Sequence, residues 1–330
     1  MPQIVVENLV KTYRVAERKR GTWGAVKGLF GRRYRTVHAL NEVSFTMESG
    51  ELVGYIGPNG AGKSTTVKIL AGILVPDSGR VEVMGRVPWK ERIETVRRIG
   101  VVFGQKTQLW WDLPVGESFD LLRDIYKVPR GEHKRTREEL IVLLELESFL
   151  DVPVRQLSLG QRMRCELAAS LIHSPDLLYL DEPTIGLDAV SKLAVRDFVR
   201  RRNRERGITM ILTTHDMDDI EALCTRVVLI HQGRLLFDGR FEDLCARVSR
   251  ERVLTVDLAE PDAAVGDPDA ISVTRTGHRV SLRFDPGRVS AAELIRRVTA
   301  RWTVNDLVVE SIPVEETVAK LYRGLSDGSL

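Results

Sequence analysis

The sequence predicts an α/β fold with a mixed sheet, an antiparallel β region, a helical region and a small C-terminal α+β unit. An apolar strand pattern at 51–56 leads through a glycine-rich loop into a helix pattern at 65–72. Strand and helix patterns alternate from 177 to 230, which is typical of a parallel sheet with helices on both faces. A second group of such patterns follows residues 257–270, which contain five acids, two prolines and no base.

Two N-terminal segments, 3–13 and 37–56, alternate between apolar and polar residues as antiparallel strands do. Between them, residues 14–36 form a basic insertion with eight Lys or Arg residues and one acid, Glu17. Helical spacing of four of its residues predicts a short amphipathic helix: Trp23, Val26, Lys27 and Phe30.

The helical region is predicted at 115–128 and 132–150, with Pro114, Pro129 and Pro153 at its boundaries. In the alternating part we expect strands at 177–181, 208–213 and 226–230, and helices at 191–205 and 216–224. The dipeptide Gln232-Gly233 then predicts a hairpin turn.

The C-terminal unit is predicted to contain strands at 271–275, 279–284 and 305–311 and helices at 290–301 and 314–323. We therefore expect a large domain over 1–245, with a helical subdomain at about 107–165, and an accessory α+β domain over 250–330. The acidic segment 257–270 is interpreted as a linker or mobile loop.

Composition limits the class of protein. The 330 residues, 43% of them hydrophobic, can build one large core and one small one. The net charge of +3 is too small to indicate nucleic-acid binding. Three scattered cysteines, Cys165, Cys224 and Cys245, fit a reducing cytosol. No run resembles a signal peptide or a membrane span, so we expect a soluble chain that reaches a membrane only through a partner.

The glycine-rich loop predicts a phosphate-binding site, because it matches G-x-x-x-x-G-K-[ST] at every fixed position. Its residues are Gly57, Pro58, Asn59, Gly60, Ala61, Gly62, Lys63, Ser64 and Thr65. Glycines let successive N–H groups point at one anion, Lys63 supplies charge to the β- and γ-phosphates, and the Ser64 hydroxyl is placed to hold Mg²⁺. The strand before the loop and the helix after it make a chance match a poor alternative.

Two adjacent acids, Asp181 and Glu182, end a buried apolar strand. Like charges at a strand end repel, and the carboxyl edge of an α/β sheet is where ligands bind. We predict that Asp181 belongs to the Mg²⁺ shell and that Glu182 is the general base that activates water. Without the phosphate loop, a capping acid before Pro183 would be an equally good interpretation.

A further motif lies just before a predicted helix and consists of Leu157-Ser158-Leu159-Gly160-Gln161. Here the sequence resembles the nucleotide-binding subunits of ABC transporters, whose signature is L-S-G-G-Q, and Leu159 departs from that pattern. The resemblance covers residues 3–240 and includes seven motifs in order. It implies a P-loop NTPase fold of the ABC type, ATP hydrolysis with ATP and Mg²⁺, and a head-to-tail dimer in which Ser158, Gly160 and Gln161 contact ATP on the opposite subunit.

The resemblance also implies roles for single residues that the residues alone would not assign. Gln105 would link Mg²⁺ and water to the transporter partner, and Asp188 lies in the loop that crosses the dimer. His215 would contact the γ-phosphate and Tyr13 would stack on adenine, with Val37 beside the nucleoside. From the residues alone, a loop amide, a helix cap, a structural histidine and a strand core residue remain open alternatives.

The resemblance further implies transmembrane permease subunits as partners, a dimer of like or unlike chains, and a position at the cytoplasmic face of the membrane. The wording of residues 158–164 and 184–188, with the basic insertion, resembles bacterial ABC-2 exporters related to drug and polysaccharide export. The insertion could face the membrane surface or be a solvated loop. Trp110 and Trp111 could anchor the permease or fill a core.

A second class of function is a non-transport ABC ATPase that acts on ribosomes or nucleic acid. Such proteins usually carry two cassettes or long coiled coils, whereas this chain has one motif set and no sustained heptads. We therefore expect no nucleic-acid partner. For residues 250–330, a small-molecule sensor, a dimer support and a permease contact all remain open.

Overall fold

The structure is a computed structural model that describes residues 2–16, 34–104, 106–248, 251–260 and 265–312. The chain divides into two compact units, Met1–Gly239 and Arg240–Leu330. Among the described residues, no helix has both the length and the apolar character that crossing a bilayer would require.

The elements up to the second unit are, in chain order, β1 (Ile4–Ala16), β2 (Tyr34–Met47), β3 (Leu52–Ile56), α1 (Lys63–Leu70), β4 (Ser78–Val83), α2 (Arg92–Val96), β5 (Ile99–Phe103), α3 (Val115–Tyr126), α4 (Arg130–Leu144), α5 (Leu159–Leu171), β6 (Leu177–Asp181), α6 (Ala189–Arg206), β7 (Thr209–Thr213), α7 (Met217–Leu223), β8 (Arg226–His231) and β9 (Arg234–Arg240). Two 3₁₀ turns, Glu147–Phe149 and Val154–Gln156, connect α4 to α5.

The central sheet has six strands in the order β5-β6-β7-β3-β8-β9. The first five pair in parallel, so their carboxyl ends meet at one edge. The whole of β3 and β7 is buried, as expected for strands covered on both faces. At the last connection Gln232 and Gly233 have φ of 47° and 77°, the left-handed values that a two-residue hairpin turn requires. This edge of parallel strand ends positions the site described below.

A second sheet of three antiparallel strands has the order β2-β1-β4. The antiparallel prediction for 37–56 is therefore wrong for 52–56, which is β3 of the parallel sheet, because five consecutive buried residues fit a strand covered on both faces. The two ends of the predicted insertion also belong to strands, since Arg14 lies opposite Thr36 and Ala16 opposite Tyr34. The helix predicted around 23–30 lies outside the described residues.

The helical region follows the proline signals. Helix α3 begins directly after Pro114 and α4 directly after Pro129. The prediction that a helix continues to 150 is wrong, because Glu145 takes a left-handed φ of 54° that ends α4. The segment interpreted as a signature lies at the start of α5, which packs against both of these helices.

The second unit contains α8 (Phe241–Val248), β10 (Arg252–Leu258), β11 (Ala270–Thr276), β12 (Arg279–Phe284), α9 (Ala291–Arg301) and β13 (Val304–Ser311). Its antiparallel sheet has the order β11-β12-β10-β13, and Leu294 and Val298 of α9 pack into its core. The helix predicted at 314–323 lies outside the described residues.

The linker prediction for 257–270 is wrong at its start. Residues 257–258 end β10, because Leu258 continues the buried alternation of Leu254 and Val256. Further on, Asp267 and Asp269 are ion-paired with Arg297 of α9 at 3.3 and 2.7 Å. The acidic composition of the segment could not show that two of its aspartates form ion pairs with a distant arginine.

Asp77 fastens β1 to the residues just before β4. Its carboxylate accepts hydrogen bonds from Lys11 Nζ at 2.8 Å, from Thr12 N at 2.6 Å and from Thr12 Oγ1 at 2.7 Å. The hydrogen bond from Lys11, followed by those from Thr12, lowers the pKa of Asp77 to about 2. This contact holds the part of β1 that leads into Tyr13.

Two buried tyrosines of the central core differ in their hydrogen bonding. The hydroxyls of Tyr55 and Thr66 lie 3.1 Å apart. The hydroxyl of Tyr179, which is equally buried, has no hydrogen-bond partner among the described residues. A buried hydroxyl without a partner costs free energy, so the two side chains should respond oppositely to its removal.

We predict that Tyr179→Phe raises the free energy of unfolding by about 1 kcal/mol, while the matched variant Tyr55→Phe lowers it by about 1 kcal/mol. Both changes remove one oxygen from the same buried cluster. Thermal unfolding followed by circular dichroism measures the difference. Equal losses in both variants would contradict the assignment of Tyr179 as unpartnered.

We also predict that Asp77→Asn lowers the free energy of unfolding at neutral pH by about 0.5–1 kcal/mol, a small value because solvent screens this exposed contact. The folded pKa of Asp77 lies below its usual value, so the contribution is complete above about pH 4 and is lost as the pH falls toward 2. Urea unfolding at about pH 7 and pH 3 should show a smaller difference between variant and parent at the lower pH. A constant or growing difference would contradict this.

Candidate nucleotide-binding site

The loop at 57–62 connects the buried strand β3 to α1 and lies close against its neighbours. Gly60 and Gly62 have left-handed φ of 82° and 115°. A Cβ on Gly62 would lie 2.5 Å from the carbonyl oxygen of Ala39, and one on Gly57 would lie 2.3 Å from that of Ile230. Glycine is therefore required by backbone shape at Gly62 and by close approach at Gly57, which explains the spacing of the motif.

The loop surrounds a buried ammonium group. Lys63, the first residue of α1, donates from Nζ to the carbonyl oxygens of Gly57 at 2.7 Å and Pro58 at 3.2 Å. Burial lowers the pKa of Lys63, and the nearby carboxylates of Glu182 and Asp181 act in the opposite direction. The first N–H groups of α1 have no acceptor within the helix. Ammonium and free N–H groups together fit a phosphate chain at this helix N-terminus.

Three polar side chains converge beside this loop. Ser64 Oγ lies 3.2 and 3.5 Å from the two carboxylate oxygens of Asp181, and Thr213 Oγ1 also donates to Asp181. A hydroxyl and a carboxylate are oxygen ligands of the kind that Mg²⁺ prefers. In the part of the chain that the structure describes, no group of three or more His, Cys, Asp or Glu side chains is arranged to hold a metal ion by itself. The donor set therefore fits an ion that takes few protein ligands and completes its shell with phosphate and water.

Glu182 and His215 come together from different strand ends. His215 Nδ1 lies 3.4 Å from Glu182 Oε1. Glu182 has a left-handed φ of 54°, uncommon for a residue with a side chain, and its N–H donates to Thr213 O at 2.8 Å. A Cβ on Gly104 would lie 2.3 Å from Glu182 O, so the residue directly after β5 lies closely against this backbone. A carboxylate and an imidazole at this edge can accept and donate protons near a bound phosphate.

The signature segment forms the start of α5. Ser158 Oγ accepts from Gln161 N at 3.2 Å and Gln161 Oε1 accepts from Ser158 N at 2.9 Å, a complete capping box. Leu159 is the first helical residue and has no positive φ, so backbone shape does not demand glycine there. At Gly160 glycine is demanded, because a Cβ would lie 2.4 Å from Ser191 Oγ. The departure at Leu159 thus leaves the helix N-terminus intact.

Asp188 caps α6 through Ser191, whose N and Oγ donate to its carboxylate at 2.9 and 2.8 Å. These hydrogen bonds lower the pKa of Asp188. Ser191 is also the residue that Gly160 approaches, so the Asp188 loop and the signature segment are neighbours in one chain. Within a single chain Asp188 acts as a helix cap.

Sequence reasoning missed a buried network that links the residues after Glu182 to those after His215. Asp219, fully buried on α7, accepts from Thr184 Oγ1 and from Arg196 Nε at 2.5 Å. Asp216 accepts from Lys192 Nζ at 2.5 Å. Burial raises the pKa of Asp216, but the hydrogen bond and charge of Lys192, the backbone N–H of Asp219 and the charge of Arg196 together lower it. Two bases one helical turn apart on α6, and two acids just after a strand-end histidine, were the available signals.

Of the remaining predicted residues, four are exposed at the surface and one lies outside the described residues. Tyr13 lies opposite Val37 across β1 and β2, and their side chains are 37% and 40% exposed, so the core interpretation of Tyr13 is wrong. Trp110 and Trp111 are 37% and 49% exposed, so the interpretation that they fill a core is also wrong. Gln105 lies outside the described residues.

Comparison with known proteins places this geometry in a family. The family model described as ABC transporter matches residues 40–185. The chain is 30% identical over 292 residues to the linearmycin resistance ATP-binding protein LnrL of Bacillus subtilis, covering 87% of this chain and 93% of the relative. It is 36% identical to the methionine import ATP-binding protein MetN 2 of Enterococcus faecalis, covering 68% of this chain and 66% of that protein.

Among solved structures, a dimeric post-hydrolysis state of the ATP-binding cassette MJ0796 bound to ADP and Pi matches with a TM-score of 0.59. It is 28% identical, and the match covers 72% of this chain and 98% of that one. The predicted fold, ATPase activity and use of ATP and Mg²⁺ are confirmed by these likenesses. With its phosphate loop, acidic strand end and capped signature helix, the chain belongs to the ATP-binding proteins of the ABC transporter family.

Proposed function

We propose that this chain is the ATP-hydrolysing subunit of an ABC-2 type exporter and powers a separate transmembrane permease from the cytoplasmic face of the membrane. The observation that carries the ATPase part is the convergence of Lys63, Ser64, Asp181, Glu182 and His215 at one sheet edge. Export is supported by the likeness to a resistance protein along nearly its whole length. An import protein is also a relative, so direction rests on that extended match and on the basic insertion.

In this proposal the loop and its helix bind the triphosphate. Lys63 and the N–H groups at the start of α1 neutralise the β- and γ-phosphates. Ser64, Asp181 and Gln105 would hold Mg²⁺, which adds further charge neutralisation when bound. Tyr13, exposed on β1, offers its ring to the adenine.

Glu182 accepts the proton of the attacking water, and His215 orients the reacting groups. Glu182 accepts a proton from the water that attacks the γ-phosphate in line. His215, 3.4 Å from that carboxylate, contacts the γ-phosphate and keeps Glu182 and water in register. Glu182 has a left-handed backbone conformation, and the close approach of Gly104 and the hydrogen bond to Thr213 O hold it at the strand end.

The second half of each site comes from a facing copy. Ser158 Oγ accepts a bond from Gln161 N, so its own hydroxyl proton remains available to a phosphate oxygen. With the N–H groups at the start of α5, exposed Ser158, buried Gly160 and half-buried Gln161 would bind an anion, and Asp188 lies beside Gly160 in the same chain. Two identical chains suffice, because this chain carries one complete motif set, and an unlike partner with the same motifs would serve equally.

The permease is proposed to dock on Trp110 and Trp111. Both indoles are exposed, and the guanidinium of Arg162 on α5 lies 6.0 Å from the Trp111 ring centroid. Exposed tryptophans are frequent anchors of interfaces. The Arg162 contact would connect a bound permease segment to the signature helix.

We predict that Glu182→Gln retains ATP binding but lowers the rate of ATP hydrolysis by about 10²-fold or more, because the amide cannot accept the proton. It should also accumulate a dimer in ATP. Phosphate release, nucleotide binding and gel filtration measure these outcomes. Glu205→Gln, which changes an exposed acid of α6, is the matched control and should hydrolyse normally. Normal turnover in Glu182→Gln would refute the general-base role.

We predict that Trp111→Ala reduces co-purification with the permease encoded by an adjoining reading frame about tenfold or more, as expected for an interface anchor. The ATPase rate of the isolated variant should stay within about twofold of the parent. Val142→Ala, at another exposed apolar position on α4, is the control. Undiminished co-purification of Trp111→Ala would remove the docking proposal while leaving the ATPase proposal in place.

A further inference from the structure

Glu166 is a buried carboxylate whose partners lie far away in sequence. It lies on α5 and is 3% exposed. Thr107 Oγ1 donates to its Oε1, and the backbone N–H of Gln108 donates to its Oε2 at 3.2 Å. Gln108 Nε2 also donates to the carbonyl oxygen of Glu166 at 3.2 Å. Three hydrogen bonds thus join one residue of α5 to residues 107–108.

Burying the Glu166 carboxylate costs desolvation free energy that a side chain needed only for packing would not require. Burial raises the pKa of Glu166, and the hydrogen bonds from Thr107 and Gln108 act in the opposite direction. An apolar side chain would fill the same space without desolvating a charge. What the carboxylate adds is the capacity to accept from two donors of another segment at once.

The segment it holds leads directly to the nucleotide site. Gly104 N donates to Asp181 O at 2.8 Å, and Asp181 faces Ser64 and Thr213. Residues 107–108 follow this contact by three to four positions. At the other end, α5 begins at the capping box of Ser158. The buried side chain of Glu166 therefore connects α5, whose N-terminus is proposed to face a second copy, to residues that follow the strand end of the site.

We propose that Glu166 is a positioning residue that joins residues 107–108 to α5, so that nucleotide bound in one chain sets the position of the signature helix it presents to the other chain. The inference rests on the proposed function, because it requires that the start of α5 completes a site in a facing copy. Glu166 itself touches neither nucleotide nor metal in this proposal.

Two substitutions cut the link without emptying the core. In Glu166→Gln the amide offers a single acceptor oxygen, so its NH₂ group faces one of the two donors and one hydrogen bond is lost. Thr107→Val removes the hydroxyl that donates to Glu166, at an exposed position and with almost no change in shape. It also removes the acceptor of the Leu109 N–H, a contact within residues 107–109. Thr107→Ser keeps the hydroxyl and is the conservative control.

A third variant separates coupling from general stability. Ser170→Ala, also on α5, removes a buried hydroxyl that donates to Leu167 O within the same helix at 2.8 Å. It disturbs α5 without touching residues 107–108. A merely structural role of Glu166 predicts that Ser170→Ala and Glu166→Gln behave alike, whereas the positioning role predicts that they differ.

The test uses the full chain with Glu182→Gln, in which dimers accumulate, and measures ATP affinity and the dimer dissociation constant in ATP by sedimentation. Glu166→Gln and Thr107→Val should each weaken the dimer about tenfold, as loss of one hydrogen bond allows, and leave ATP affinity within about twofold. Ser170→Ala and Thr107→Ser should dimerise like the parent. The double variant should be little worse than either single one, because both changes cut one link.

Unchanged dimerisation of Thr107→Val overturns the proposal even if Glu166→Gln fails to fold. Parallel losses of ATP affinity and dimerisation in Glu166→Gln overturn it as well, because they indicate a general disturbance of the fold. If the Glu182→Gln parent itself stays monomeric in ATP, the proposed function fails first, and the positioning role fails with it.

Discussion

The site depends on the carboxylate of Asp181. It stands at the end of β6, where the first residues of α1 and the last residue of β7 reach the same edge, and it meets Ser64 and Thr213 there. Its carbonyl oxygen also holds Gly104 at the end of β5. Four chain segments are thereby fixed around one small volume. Parallel pairing makes this possible, because it directs all these strand ends to one edge.

Two polar links lead from this edge toward the surface that we propose faces a second copy. One passes from Gly104 through residues 107–108 to Glu166 and the start of α5. The other joins Thr184 to Asp219 and Arg196, close to the Asp188 cap of α6. Gly160 and Ser191 bring the two ends together. Buried polar contacts specify one arrangement strongly, since breaking them leaves unsatisfied groups.

The sequence predicted the parts of the site that lie in unbroken motifs. The phosphate loop and the Asp181–Glu182 strand end could be read because neighbouring residues carry both the backbone shape and the chemistry. Glu166 and Asp219 could not, because a buried acid on a helix gives no sign of which distant donors it meets. Strand β10 was not predicted, and its last two residues, Asp257 and Leu258, were counted with the acidic segment although Leu258 belongs to the buried face. The exposure of Trp111 could not be predicted either, because it depends on how distant segments pack around the indole.

We propose that two chains enclose ATP between the loop of one and the signature helix of the other. The test is disulfide formation between Asn59→Cys and Ser158→Cys chains, mixed in a Glu182→Gln, Cys245→Ser background. Both introduced positions are exposed, Cys165 and Cys224 are buried, and the partly buried Cys245 is removed. We expect a cross-linked dimer that forms with ATP and not without nucleotide. Absence of that cross-link with ATP, or its equal formation without nucleotide, would contradict it.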